Sequence, residues 1–151
     1  MLKTPNPKLE HIAIMRKSWR LTQKILSSQK TLESRWLLLR CRPWNCVKKG
    51  ENIYFQDSGE PVSIKAKVSK VIQFDGLTPS KVRKLLYKYG NSDGIEKNRI
   101  PEFFKRFKDK KYCILIFLDN PQRVKPFKID KTGFGAMSAW ITVNNISRIK
   151  Y

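Results

Sequence analysis

The segment Val62–Phe74 constrains the fold most, because apolar and polar residues alternate along most of its length. One face of this segment consists of Val62, Ile64, Ala66, Val68, Ile72 and Phe74. The residues between them are mostly lysines and serines. Successive side chains of a β-strand point to opposite faces, so the pattern predicts a long, half-buried strand with a basic outer face. Its length favours a bend or bulge near Ser69 and Lys70.

Shorter patterns on both sides of this strand predict a mixture of strands and helices. Further strands are expected at residues 11–15, 30–36, 52–56, 112–118, 123–129 and 138–146. Helices are expected over residues 18–28, from Thr78-Pro79 to Gly90, and from Pro101 onward, because apolar residues recur there at helical spacing. This order predicts an α+β fold, a small mixed β-barrel flanked by about three helices. Residues 1–10 are interpreted as a basic lead-in and residues 11–151 as a single domain.

The charge of the chain points to a polyanionic partner. The 151 residues include 32 Lys and Arg against 12 Asp and Glu, a formal net charge of +20. Such an excess destabilises a compact chain through self-repulsion, so it is not expected to serve stability. Nucleic acid is the commonest polyanion that basic proteins bind, which favours RNA or single-stranded nucleic acid generally. A protein adaptor that binds an acidic partner is an open alternative.

Several other classes of protein are disfavoured. No apolar run approaches the roughly 20 residues of a transmembrane helix, and the N-terminus lacks an apolar signal segment, so a cytoplasmic protein is expected. Three cysteines, an odd number, fit a reducing compartment. Cys41 and Cys46 have a spacing that zinc tolerates, but neither Cys113 nor His11 belongs to a second tight ligand pair. We therefore expect no metal and no cofactor.

Residues 30–35, Lys-Thr-Leu-Glu-Ser-Arg, form the most informative polar cluster in the sequence. If they are extended, Thr31, Glu33 and Arg35 share one face, and Glu33 lies about 7 Å from Arg35. An amine, a carboxylate and a guanidinium side by side suit a polar, planar ligand. The alternative is an ion pair on a solvated strand face, which is common and contributes little.

The surrounding residues resemble a known family. Residues 25–36, Ile-Leu-Ser-Ser-Gln-Lys-Thr-Leu-Glu-Ser-Arg-Trp, resemble the ASCH-domain signature, roughly I-L-x-G-x-K-T-[IV]-E-x-R. Residues 48–55, Lys-Lys-Gly-Glu-Asn-Ile-Tyr-Phe, resemble the family's next block, a turn that leads into an apolar strand. The order of helix, signature, turn, long strand and helix agrees as well, over about residues 11–150. The resemblance implies a PUA-like β-barrel with a cleft, lined by the signature, that is implicated in RNA binding.

The resemblance implies that Lys30, Glu33 and Arg35 face a ligand, and the charge and chemistry of other residues extend the expected site. The cleft is expected to contain Lys30, Thr31, Glu33, Arg35, Tyr54 and Ser58. Basic residues expected to contact the RNA backbone are Arg16, Lys17, Arg20, Lys24, Lys65, Lys67, Lys105, Arg106 and Lys131. Trp36, Tyr54 and Trp140 are candidate stacking planes for a base, although core packing is favoured for the two tryptophans.

Catalysis is the alternative function. Some relatives in the resembled family deacetylate a modified cytidine nucleoside or act as ribonucleases, so Lys30 would be a base or nucleophile and Glu33 an acid or base. Lys30 aligns with the deacetylase lysine, but Glu33 stands where the catalytic threonine is expected. The lone His11 provides no histidine pair for ribonuclease chemistry, and no carboxylate cluster suits two metal ions. Binding is therefore favoured over catalysis.

Overall fold

The computed structural model describes residues 8–135 and 138–151, in which the strands form one six-stranded sheet. The strands are β1 (Glu10–Met15), β2 (Leu32–Leu37), β3 (Asn52–Asp57), β4 (Val62–Phe74), β5 (Tyr112–Phe127) and β6 (Trp140–Val143). The α-helices in the described ranges are α1 (Leu21–Leu26), α2 (Pro79–Tyr89) and α3 (Ile100–Phe107). The predicted α+β architecture is confirmed. Residues 1–7 of the predicted lead-in lie outside the described residues.

The sheet is mixed and curls into a half-barrel. The strand order is β2-β5-β4-β3-β1-β6, with β1 parallel to β3 and the other neighbouring pairs antiparallel. Edge strand β2 approaches the opposite edge closely enough for Arg35 to donate to the backbone oxygens of Ile14, at 3.4 Å, and Ala139, at 3.3 Å. We call the gap between β2 and the facing β1–β6 edge the seam.

Two apolar layers cover the two faces of the sheet. The interior of the half-barrel is filled by buried side chains that include Ile53, Phe55, Ile64, Ile114 and Ile116. On the other face of β2 and β5, the helices α2 and α3 pack against Leu32, Trp36, Cys113 and Leu115. Strand β2 is therefore packed on both sides, and a charged side chain on it must find partners within the protein.

Two elements differ from the sequence-based expectation. Residues 18–28 do not form one helix, because Arg20 adopts a left-handed conformation with φ 54° between a 3-10 turn at Lys17–Trp19 and α1. Strand β5 is continuous where two strands were expected, although it contains Pro121. Among the described strands, residues 118–127 pair with β4 alone, so a proline is tolerated there as on an edge strand. The bulge predicted near Ser69 is confirmed by a register shift between Val68 and Lys70.

No helix in the described ranges has the length and apolar character needed to cross a membrane.

A buried carboxylate ties the beginning of the chain to the sheet. Glu51 accepts hydrogen bonds from the backbone amides of Leu9 and Lys48, both at 2.8 Å, and from His11 Nε2 at 2.9 Å. His11 Nδ1 accepts from Trp140 Nε1 at 3.3 Å, so the neutral ring carries its proton on Nε2. Burial lowers the pKa of His11 despite the nearby Glu51 carboxylate. Burial would raise the pKa of Glu51, but the hydrogen bonds from His11, Leu9 and Lys48 hold it below its usual range.

We predict that Glu51→Ala destabilises the protein by about 2–4 kcal/mol, because each buried donor left unpaired costs about 1–3 kcal/mol. The free energy of unfolding in urea at pH 7 measures this loss. Glu96→Ala, which removes an exposed carboxylate, is the matched control and is expected to change stability by less than about 0.5 kcal/mol. Equal effects of the two substitutions would contradict the role given to Glu51.

Candidate functional site

Lys30 lies inside the protein, with 2% of its surface exposed. Its Nζ donates to Asp93 Oδ1 at 2.5 Å and to the Asp93 backbone oxygen at 2.8 Å, and lies 3.3 Å from Glu33 Oε1. A buried ammonium is tolerated when it is paired and hydrogen-bonded in this way. Lys30 was expected to face a ligand. In the structure it is buried, and two carboxylates enclose its charge.

The pKa directions within this group follow from burial and pairing. Burial alone would lower the pKa of Lys30, but the Asp93 and Glu33 carboxylates hold it above its usual range. For Glu33, the charges of Lys30 and Arg35 outweigh burial and lower the pKa. Burial and the neighbouring Glu33 raise the pKa of Asp93, against the effect of Lys30. Lys30 therefore stays protonated at neutral pH, held by both carboxylates.

Arg35 extends this network toward solvent. Its Nη2 donates to Glu33 Oε2 at 3.2 Å, and its guanidinium lies over the Trp140 ring, 5.2 Å from the centroid. Glu33 is thus held between the Lys30 ammonium on one side and the Arg35 guanidinium on the other. The Arg35 side chain remains 17% exposed. The predicted shared face of Glu33 and Arg35 is confirmed by this contact, and Arg35 is the member that a ligand can reach.

Asp93 completes the network and was not predicted from the sequence. It accepts from Ser34 Oγ at 2.5 Å, and Ser34 Oγ in turn accepts from Trp36 Nε1 at 3.1 Å. The next residue, Gly94, has φ +80°, and a Cβ there would lie 3.2 Å from the Cβ of Lys30. The Asp-Gly pair predicts a turn, but its contact with Lys30 depends on tertiary packing.

Two cavities lie along the seam, and Arg35 and Trp36 line both. The small cavity has a volume of about 180 Å³ and is also lined by Arg16, Trp19, Ser34 and Phe107. The large cavity has a volume of about 550 Å³ and is also lined by Arg42, Pro43, Phe134 and Trp140. The Arg35 side chain crosses the seam and contributes to the lining of both. Each cavity therefore combines aromatic walls with a second arginine.

Some of the predicted backbone-contacting residues border these cavities. The guanidinium groups of Arg16 and Arg106 lie 4.9 and 5.0 Å from the centroid of the Trp19 ring. Lys131 Nζ donates to the backbone oxygen of Ser138, which lines the large cavity, at 3.3 Å. These arginines and Lys131 give the seam a basic rim.

The remaining basic residues lie elsewhere or have other contacts. Lys65 and Lys67 are on the outer face of β4, a central strand of the sheet and therefore away from the seam at its edges. Lys17 pairs with Glu60 at 2.6 Å, and Lys24 donates to the Gly94 backbone oxygen at 2.8 Å. Arg20 and Lys105 are exposed.

Four of the predicted cleft residues line neither cavity, namely the enclosed Lys30 together with Thr31, Tyr54 and Ser58. Tyr54 is buried against Phe127 on the outer face of the sheet, where its hydroxyl donates to Glu10 at 3.4 Å. Ser58 is exposed in the turn after β3, and Thr31 is exposed at the start of β2. In residues 8–135 and 138–151, no three His, Cys, Asp or Glu side chains form a cluster that could hold a metal ion.

We predict that Lys30→Met destabilises the protein by about 3–5 kcal/mol at pH 7, because two buried carboxylates lose their cation. Without Lys30, burial should raise the folded-state pKa of Glu33 and Asp93 above the unfolded values near 4, so the variant gains stability as the pH falls toward 4. In the wild type the pKa of Glu33 is lowered, so its stabilisation is present at neutral pH and is lost in acid, whereas the raised pKa of Asp93 contributes in the opposite direction in both proteins. Urea unfolding between pH 4 and 8 should show the difference between the two proteins shrinking in acid.

Lys84→Met removes a lysine from the exposed face of α2 and serves as the matched control. It should stay within about 0.5 kcal/mol of the wild type at every pH. The buried network is contradicted if Lys30→Met behaves like this control, or if its deficit is the same at pH 4 and pH 7.

Comparison with known proteins identifies the fold. No protein-family model and no curated relative matches the sequence. The crystal structure of ASCH from Zymomonas mobilis matches with a TM-score of 0.64 and 17% identity, covering 89% of this chain and 87% of that one. A point mutant of the same protein matches with a TM-score of 0.65 and 18% identity, covering 93% of this chain and 91% of that one. The N-terminal domain of Staphylothermus marinus McrB matches with a TM-score of 0.51 and 14% identity, covering 79% of this chain and 76% of that one. This chain therefore has the PUA-like α+β fold of the ASCH domains.

Proposed function

We propose that the protein binds nucleic acid, with RNA as the favoured ligand, through a basic surface and an accessible arginine in the seam. The observation that carries this proposal is the position of Arg35. It is held by a buried carboxylate, is 17% exposed, and lines two cavities. The net charge of +20 supplies the attraction for phosphates.

The buried network supports binding by holding Arg35 in place. Lys30 and Asp93 fix Glu33 inside the protein, and Glu33 with the Trp140 ring fixes the guanidinium. A side chain ordered before binding loses less entropy on binding, which improves affinity. A guanidinium presents planar pairs of donors that suit phosphate oxygens or the edge of a base.

The shape of the seam favours unpaired nucleotides. Proteins that select RNA sequences usually bind single-stranded bases and stack them on aromatic side chains or arginine planes. Both cavities are recesses with aromatic walls, to which Trp19 and Phe107 contribute on one side and Phe134 and Trp140 on the other. An unpaired base or a nucleotide end fits such recesses, whereas the basic rim suits the backbone on either side.

Binding is favoured over catalysis by the state of Lys30. A lysine that acts as a base or nucleophile must lose its proton, which requires a lowered pKa. The pKa of Lys30 is raised, and its ammonium is enclosed by Asp93 and Glu33. Glu33 is itself paired on both sides. These groups suit the positioning of Arg35 rather than proton transfer to a substrate.

We predict that Arg35→Met weakens binding of a labelled single-stranded RNA by about tenfold, since a hydrogen bond to a charged group is worth about 1.5–3 kcal/mol. Fluorescence anisotropy over a salt series measures the dissociation constant. Wild-type affinity should fall steeply with salt because phosphate contacts release counterions. Lys84→Met removes the same charge from the exposed face of α2 and should change affinity by less than about twofold.

Two outcomes would contradict the proposal. Absence of binding to single-stranded RNA, duplex RNA and single-stranded DNA at low salt would remove the nucleic-acid function and favour an acidic protein partner. Equal affinities of Arg35→Met and Lys84→Met would show that binding does not use the seam. Circular dichroism of each variant verifies that the fold is retained.

A further inference from the structure

We propose that the seam binds a dinucleotide step of a single strand, with one base in each cavity and the connecting phosphodiester on Arg35. This inference rests on the proposed nucleic-acid function and deepens it. It names the smallest ligand that fills the site, two adjacent nucleotides joined by an anionic linkage. The geometry that points to it is the presence of two cavities along one seam that share Arg35 and Trp36 as lining residues, with the Arg35 guanidinium reaching across the seam.

Arg35 reaches across the seam and lines both cavities. Its guanidinium contacts Glu33 on β2, the backbone oxygen of Ile14 on β1, and that of Ala139 just before β6. It therefore spans the seam from edge to edge. A ligand that occupies both cavities meets this cation, and the part that meets it is favoured if it carries negative charge.

The distribution of charge around Arg35 also favours an anion at this point. When ionised, Lys30 and Arg35 balance Glu33 and Asp93, so the buried network adds no net charge. The excess positive charge comes from the cavities on either side, where Arg16 lines the small one and Arg42 the large one. A phosphodiester at Arg35 would thus lie between two further guanidinium groups.

The walls of the two cavities suit flat heterocycles. The small cavity is bounded by Trp19, and by Trp36 stacked on Phe107 with centroids 5.0 Å apart. The large cavity is bounded by the half-buried Phe134, which is the stacking surface there, and by Trp140, whose buried ring already lies against Arg35. Stacking on an aromatic side chain adds affinity for each base, so two occupied cavities bind better than one.

The unequal volumes predict an asymmetric preference. The large cavity, about 550 Å³, falls within the range of about 300–1,000 Å³ that is usual for small-molecule sites and suits a base with its sugar. The small cavity, about 180 Å³, is below that range and suits a base alone. We therefore expect the two cavities to hold different parts of the dinucleotide.

Calorimetric titration with short ligands tests the dinucleotide assignment. The probes are uridine 5′-monophosphate, the dinucleoside monophosphate uridylyl-uridine, and the same dinucleoside with an uncharged methylphosphonate linkage. We expect the charged dinucleoside to bind wild type at least about tenfold more tightly than the mononucleotide, and the uncharged one to lose that gain. Arg35→Met should bind the charged and uncharged dinucleosides equally, whereas Lys84→Met should retain the preference for the charged one.

The outcomes separate this inference from the proposed function. If longer single-stranded RNA binds in a manner that depends on Arg35, but the dinucleoside binds no better than the mononucleotide, the dinucleotide assignment is overturned and the RNA function stands. Equal binding of the charged and uncharged linkages by wild type overturns the placement of phosphate on Arg35. If no RNA of any length binds, both proposals fail.

Discussion

The pairing of Lys30 with Asp93 and Glu33 is the interaction on which the geometry of the seam depends. An ammonium with 2% exposure is stable in a protein only with close counter-charges, so the chain must bring Asp93 next to β2. Replacing a buried ion pair by apolar residues is often neutral or stabilising, so stability alone does not explain its presence. The structural consequence of the pairing is that Lys30 holds Glu33 in place, and Glu33 in turn holds the Arg35 guanidinium.

The open edge of the half-barrel gives Arg35 its setting. Strands β2 and β6 are the edges of the described sheet, and sheet edges leave backbone donors and acceptors unpaired. Arg35 donates to carbonyl groups across the gap, at Ile14 and Ala139, while part of it remains in contact with solvent. The same side chain therefore links the two edges and presents a cation to a ligand. Polar backbone, aromatic walls and arginines converge where the sheet does not close.

Sequence patterns predicted the elements whose causes are local. The limits of β4 at Val62 and Phe74 follow from alternation that is broken only at the bulge, and α2 begins after Thr78 because its side chain accepts a hydrogen bond from the Lys81 amide. The common face of Glu33 and Arg35 follows from strand geometry in the same way. The predictions that were wrong concern residues whose conformation or position depends on neighbours in space. Residues 18–28 contain a left-handed Arg20, and Tyr54, expected in the cleft, packs on the opposite side of the sheet.

By itself, the sequence determined the fold class, the faces of its regular strands and the large positive charge. Tertiary structure alone decided that Lys30 is enclosed while Arg35 is accessible. Asp93 is 63 residues away from Lys30 along the chain. It lies in an Asp-Gly turn with no distinguishing sequence feature, and tertiary packing places that turn beside the Lys30 ammonium. Periodicity reports which side of a strand a residue occupies, but not what the rest of the chain places there. The burial of a side chain, its pKa and its access to ligand all depend on these surroundings.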